Sequence, residues 1–117
     1  MPRRKRLLLT GTCWYELVGL QWLLTRLGYD VFCAPVGYFY ERSGWDLVVV
    51  ALSAEPQAAW GGHVFWLREM KQWLNADLVV LVPHRMKRLK ALQDIARVCD
   101  GCQKLRKLRA FFRASAS

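Results

Sequence analysis

The sequence has few acidic residues and very few histidines. Only 9 of its 117 residues are Asp or Glu, against 18 Lys and Arg, and it contains 2 histidines, so the formal net charge is +9. The hydrophobic content of 54% excludes a disordered chain. We therefore expect one globular domain over residues 1–117, with a core of its own.

The cysteines are few and form neither a disulfide framework nor a complete metal site. Cys13 and Cys33 lie in apolar stretches, which is typical of reduced core residues. Cys99 and Cys102 form a lone C-x-x-C, whereas a structural zinc site needs two further ligands at suitable spacing. We expect no metal, no cofactor and no redox centre. Without a disulfide framework or a convincing signal segment, a cytoplasmic location is expected.

Motifs of the common α/β enzymes are missing as well. The chain has no G-x-G-x-x-G and no G-x-x-x-x-G-K-[ST], and no G-x-S-x-G surrounds Ser53. His84 follows a predicted strand at the edge where α/β sheets bind ligands. Its neighbours Arg85 and Lys87 are more typical of a solvated position. We expect that the protein is not an enzyme.

A long membrane-spanning run is also lacking. The window 7–24 follows four basic residues at positions 3–6 and carries one charge, Glu16, so it superficially matches a signal anchor. It also holds Thr, Gly, Gln and Tyr, and a central acid adds about 2–3 kcal/mol to the free energy of insertion. We expect the window to divide into a strand and a helix. A membrane partner is therefore not expected, and a membrane-surface protein held through residues 3–24 is the third alternative.

Short apolar runs alternate with helical patterns along the whole chain. The runs predict strands at residues 5–10, 29–35, 46–52 and 77–82. Apolar residues three and four apart predict helices at 15–27, 64–75 and 86–98, with a short link at 36–44 and either a strand plus a helix or one helix at 102–114. Strands that are apolar on both faces and alternate with helices predict an α/β, three-layer fold. Its parallel sheet would have four or five strands flanked by helices.

The element order and two stretches resemble a known family. The strand–helix order resembles a response-regulator receiver domain. The stretch C-W-Y-E-L-V-G-L-Q-W-L-L-T-R-L-G, residues 13–28, looks like the first helix of receiver-like N-terminal domains in LuxR-type bacterial transcription regulators, such as the enterobacterial capsule-synthesis auxiliary regulators. The turn Cys99-Asp100-Gly101-Cys102 is similar to the turn before the last strand of such domains. The resemblance covers nearly the whole chain and implies a flavodoxin-like, receiver-like fold.

The positions at which a receiver performs phosphoryl transfer are chemically blank here. The resemblance implies an acidic pair for Mg²⁺ after the first strand, and T-G-T at residues 10–12 stands there. Ala51 stands at the phospho-acceptor Asp position, and Val82 stands at the Thr or Ser switch position. The fifth-strand Lys falls at Leu105, with Lys104 one residue away. We expect a pseudo-receiver that is not phosphorylated on Asp in the usual way.

The late basic segment, residues 85–117, is the first candidate binding surface. It has ten Lys and Arg against two Asp, a charge of +8. Such asymmetry indicates a polyanion or an acidic partner, although charge runs are often only a solvated surface. In related receivers the fourth helix and the last strand form the dimer face. The cations expected to make contact are Arg85, Lys87, Arg88, Lys90, Lys104, Arg106, Lys107, Arg109 and Arg113.

An aromatic stripe on the third predicted helix is the second candidate surface. Trp66, Met70 and Trp73 are spaced i, i+4 and i+7, and this stripe is offset from the predicted core positions of the helix. Exposed, it would be an interaction site. The alternative is that the helix is buried over a wider arc, because Trp is often partly buried.

These features predict a non-enzymatic regulatory interaction module. It would act in transcriptional or signalling control by forming a homo- or heterodimer with a transcription regulator. The alternative is a small basic nucleic-acid-binding protein that uses the C-terminal Lys and Arg residues for phosphate contacts. No helix-turn-helix follows in the sequence, so we expect no sequence-specific DNA reading by this chain alone.

Overall fold

A computed structural model describes residues 4–35, 44–56, 60–74 and 76–116. In this part of the chain, five strands and four helices follow one another. In chain order they are β1 (Arg6–Gly11), α1 (Trp14–Arg26), β2 (Asp30–Pro35), β3 (Leu47–Ala51), α2 (Trp60–Trp73), β4 (Asp77–Val82), a 3-10 turn (His84–Met86), α3 (Lys90–Gln93), β5 (Arg97–Asp100) and α4 (Leu105–Ala116).

The five strands form one parallel sheet in the order β2-β1-β3-β4-β5. The chain moves outward from β1 to β2, returns to β3 on the other side of β1, and then continues to β5. This is the flavodoxin-like, doubly wound order, with its switch point between β1 and β3. The α/β, three-layer prediction is confirmed, with five strands.

Helices cover both faces of the sheet because its central strands are apolar on both sides. All five residues of β3 are buried. One core cluster lies under α1 and α4, where Leu20 and Phe112 pack against alternate strand residues. The other lies under α2 and α3, where Leu67 and Leu92 pack against the remaining strand residues. The Tyr29 hydroxyl, which lies just beyond α1, donates a hydrogen bond to the Phe112 carbonyl at 2.8 Å and so fixes α4 beside α1.

All four predicted strands agree with the structure to within one residue at each end, and α2 begins four residues earlier than predicted. The window 7–24 divides into β1 and α1, as expected. No helix among the described residues is long and apolar enough to cross a membrane. The predicted link at 36–44 lies outside the described residues apart from Gly44.

The predicted helix at 86–98 is wrong. The chain instead forms a 3-10 turn and the four-residue α3, and then β5 pairs with β4. Without that pairing, the outer edge of β4 would leave buried backbone groups unsatisfied, so strand formation wins over continuation of the helix. The apolar residues that suggested a helix still pack into the α2/α3 core: Met86, Leu89, Leu92, Ile95 and Ala96.

This change moves the last strand to the other side of the Asp100-Gly101 turn. The turn follows β5, so the expected likeness to a turn before the last strand is wrong. Residues 102–114 hold no strand and lead into one helix, α4. Leu105 and Lys104 therefore do not stand in the fifth strand, whose carboxyl end is Asp100.

Candidate functional site

The switch point between β1 and β3 is filled by the chain's own atoms. Gly11 pairs with Ala51, and a Cβ atom built on Gly11 would lie 2.5 Å from the Ala51 carbonyl oxygen and 3.1 Å from Leu17 Cδ2. Ala51 and Val82 end their strands as predicted, and both are fully buried. The crevice where doubly wound sheets bind ligands is thus closed here by a methyl group and a leucine.

One carboxylate near this edge is engaged in holding the loops together. Glu16 Oε1 accepts a hydrogen bond from the Ser53 backbone N–H at 3.2 Å, which joins α1 to the loop after β3. Burial raises the pKa of Glu16, and hydrogen bonds from Ser53 oppose that rise. A Cβ atom built on Gly101 would overlap Ser53 Oγ and lie 3.2 Å from Glu16 Oε2. Glu16, Ser53 and Gly101 therefore form a close contact between three segments, which the sequence did not indicate.

A second carboxylate is held at the ends of β4 and β5. Asp100 Oδ2 lies 2.6 Å from His84 Nδ1, and Asp100 Oδ1 accepts the Cys102 backbone N–H at 2.9 Å. Burial acts to raise the pKa of Asp100, but the hydrogen bonds from His84 and Cys102 and the charges of His84 and Lys87 together lower it. Among the described residues, no group of three His, Cys, Asp or Glu side chains could hold a metal ion.

The C-x-x-C pair is split between the core and the surface. Cys99 is buried and Cys102 is exposed, and both are free thiols. Burial raises the pKa of Cys99 to about 11; the hydrogen bond from Gln103 lowers it and the charge of Asp100 raises it. The expectation of a core position is wrong for Cys33, which is exposed on the edge strand β2, and it holds only in part for Cys13, which is half-buried just before α1.

The basic segment is divided between two layers of the fold. The first group extends from the 3-10 turn to the first residue of α3 and consists of Arg85, Lys87, Arg88 and Lys90. The second group lies just before and within α4, beyond β5, and consists of Lys104, Arg106, Lys107, Arg109 and Arg113. Members of both groups come near the carboxyl edge, where the charge of Lys87 acts on Asp100. α4 has no acid in its first turn and is preceded by Lys104, so cations crowd the positive end of the helix dipole. An anion bound at the start of α4 would be stabilised by these cations and by the helix dipole.

The predicted aromatic stripe on α2 lies half-buried. Trp66, Met70 and Trp73 pack against the α2/α3 core, and Trp66 Nε1 donates a hydrogen bond to His63 Nδ1 at 2.9 Å. This is the wider burial that the sequence left open as the alternative. Phe65 is the large apolar residue that α2 exposes.

The largest exposed aromatic side chains of the described residues lie instead on α1, where the sequence did not place a site. Trp14, Tyr15 and Trp22 are 72%, 86% and 52% exposed, and Val18 lies between them. The Arg26 guanidinium lies over the Trp22 ring, 4.9 Å from its centroid. The sequence does contain a pattern that indicates this exposed face: apolar residues at positions 14, 18 and 22 are spaced by four, on the side of α1 opposite its core residues.

A cleft of about 210 Å³ lies between α1, along Tyr15 to Leu23, and the first turn of α4. We refer to it as the α1/α4 cleft. Leu20, Leu23 and Leu81 are among its apolar lining, and Tyr15 and Leu105 lie on its two sides. α4, whose Leu105 and Leu108 line the cleft, also bears Arg106, Lys107 and Arg113, all exposed. An apolar cleft thus lies between an aromatic helix face and a basic one.

Comparison with known proteins identifies no relative of this chain. No protein-family model, no curated protein and no solved structure matches it.

Proposed function

We propose that the chain is a non-enzymatic regulatory interaction module, a pseudo-receiver that acts in transcriptional or signalling control by binding a transcription regulator. The observation that carries this proposal is the exposed surface of α1 and α4: α1 exposes Trp14, Tyr15 and Trp22, and α4 exposes several cations. Trp, Tyr and Arg are the residues that contribute most binding energy at protein interfaces.

The filled strand ends support binding over catalysis. Phosphoryl transfer to a receiver needs a carboxylate nucleophile and a cation held beside it. Ala51 and Gly11 meet at that place, with Leu17 packed over them. Two carboxylates near the carboxyl edge, Glu16 and Asp100, are engaged by backbone N–H groups of the chain itself. The sheet then serves to position its two helical layers.

The excess of positive charge favours an acidic partner surface. α4, which carries most of the second group of the basic segment, contains no acidic residue. Charge complementarity of this kind accelerates encounter and excludes partners of like charge. A regulator that presents carboxylates would therefore associate faster at low ionic strength, where screening is weak.

Affinity capture from host cells tests the proposal. The tagged chain is purified from nuclease-treated extract beside a triple variant, Lys104→Glu, Arg106→Glu and Lys107→Glu, and a control with Arg68→Glu and Lys71→Glu on α2. We expect the wild type and the control to retain a transcription regulator in stoichiometric amount and the triple variant to lose it. A wild-type chain that is recovered as a monomer without a regulator would count against the proposal.

Nucleic-acid binding is the second candidate, favoured by the two basic groups that approach the same edge of the sheet. The chain is titrated into labelled mixed-sequence duplex DNA at low and near-physiological salt. Affinity should collapse with salt, because each phosphate contact releases counterions. Changing Lys87, Arg88, Lys104 and Lys107 to Glu should abolish binding. If the chain binds DNA at neither salt concentration, this candidate is excluded.

A further inference from the structure

α1 carries a glycine that the described fold does not require. Gly19 lies in the middle of the helix, and its φ is not positive. A Cβ atom built on it would meet no heavy atom within 4 Å. Glycine in a helix interior lowers helix stability relative to alanine. Neither backbone conformation nor packing within the described chain therefore accounts for this residue.

Gly19 lines the α1/α4 cleft. The α1 residues that line it extend from Tyr15 to Leu23, which corresponds to about two helical turns, or 12 Å. The volume of about 210 Å³ is roughly seven times the volume of a water molecule in the liquid, so the cleft has room for one large apolar side chain. The absence of a side chain at Gly19 lets a partner approach the backbone of α1 closely.

The charges around the cleft select the occupant. Arg106, Lys107 and Arg113 lie on the exposed side of α4, and Arg26 lies at the end of α1. Glu16, the acid of the cleft lining, is half-buried and bonded to the loop after β3. A second copy of this chain would bring the same cations together, and such like-charge contact is unfavourable. An occupant with carboxylates beside an apolar side chain is complementary to both parts of the surface.

We propose that the α1/α4 cleft binds an acidic amphipathic helix of the partner protein, with one apolar side chain of that helix seated over Gly19. This inference rests on the proposed function and names the element by which the partner is recognised. A helix fits because the cleft follows the length of α1, and docking in such grooves uses apolar anchors at helical spacing. Its carboxylates lie against Arg106 and Arg113, which are exposed and lie within about 100° of Leu105 around the axis of α4.

The test uses a synthetic amphipathic peptide of about 18 residues, with Leu at helical core spacing and Glu elsewhere. Binding is measured by fluorescence anisotropy of a dye on the peptide. Two further peptides serve as controls: one has Lys in place of Glu, and the other has the same composition without helical spacing. We expect the wild-type chain to bind the Glu peptide and neither control.

Variants of the chain then locate the binding site. Gly19→Leu places a side chain in the cleft from a Cβ position that meets no heavy atom within 4 Å, and it should weaken binding at least tenfold, the equivalent of one unburied leucine. Gly62→Leu, at an equally open glycine of α2, is the matched control and should leave affinity unchanged. Tyr15→Ala removes an exposed side of the cleft and should weaken binding without affecting folding, which thermal unfolding verifies.

Several results would overturn the cleft proposal. These are equal binding of the Lys peptide or of the peptide without helical spacing, full affinity of Gly19→Leu, or binding of the chain to vesicles of anionic phospholipid but not to the Glu peptide. If no peptide binds while the wild-type chain still captures a regulator, the cleft proposal fails and the proposed function stands. If the regulator is also absent, both fail.

Discussion

Replacement of Gly101 by alanine should lower the free energy of unfolding of the domain, and the contacts around Gly101 set the size of the loss. The added Cβ would overlap Ser53 Oγ, lie 2.8 Å from Ser53 Cβ and lie 3.2 Å from Glu16 Oε2. Overpacking of this kind typically costs about 1–3 kcal/mol. The φ of Gly101 is not positive, so alanine is free of backbone strain, and its smaller unfolded-state entropy returns up to about 1 kcal/mol. We expect a net loss of about 1–2 kcal/mol.

Urea unfolding followed by tryptophan fluorescence measures this change. The compensating variant is Ser53→Gly, because it removes both of the Ser53 atoms that Gly101→Ala would meet. In a double-mutant cycle, the loss for the pair should be about 1 kcal/mol or more smaller than the sum of the two single losses. Gly62→Ala is the control: it meets nothing within 4 Å in α2 and should stabilise the protein by up to about 1 kcal/mol.

The reasoning would be refuted if Gly101→Ala were as stable as the wild type. It would also be refuted if Ser53→Gly and Gly101→Ala gave additive losses, because additivity means that the two residues do not meet. Either result would show that the loops after β3 and β5 are farther apart than the structure places them.

Three further predictions concern single groups. Because burial in the folded state raises the pKa of Glu16, protonated Glu16 stabilises the fold below its ordinary pKa of 4.5, and this contribution is lost as pH rises through the raised pKa. Urea unfolding should therefore show that Glu16→Gln gains stability relative to the wild type as pH rises from 4 to 7. A difference in unfolding free energy that stays constant with pH would contradict this. In thiol titration at pH 8, Cys102 should react rapidly and Cys99, buried with a pKa of about 11, only on unfolding; equal rates would contradict the split. Tyr29→Phe removes the hydrogen bond to the buried Phe112 carbonyl and should cost about 1–2 kcal/mol, whereas an unchanged denaturant midpoint would show that this bond contributes nothing.

The sheet was largely readable from the sequence because its main strands are continuous apolar runs. β4, for example, is D-L-V-V-L-V followed by proline, and its bounds agree with the structure at both ends. β5 was not readable, because R-V-C-D is only four residues long and has a charged residue at each end. Its neighbours Leu89, Leu92 and Ile95 pack into one core at helical spacing although the chain there is mostly turn. The local spacing of apolar residues does not indicate that the edge of β4 pairs with another strand.

The blank chemistry of the strand ends was predictable, but the exposed surface was not. Ala51 at the end of β3 is visible in the sequence, whereas the closure of the crevice by Leu17 requires coordinates. The sequence contains Trp on both α1 and α2, and spacing alone cannot tell which face another element covers. α2 packs Trp66 against its core, while nothing among the described residues covers Trp14.

The hydrogen bond between Tyr29 and Phe112 spans 83 positions of the chain and has a consequence for biosynthesis. α1 and β1 are made early, yet the face of the sheet between them and α4 is completed only when residue 112 has been synthesised. A nascent chain that stops before that point exposes Leu20, Leu24 and Leu81 to water, and such surfaces are where chaperones and proteases engage incomplete products. Truncation before residue 112 should therefore destabilise the domain as well as remove the positive charge of α4.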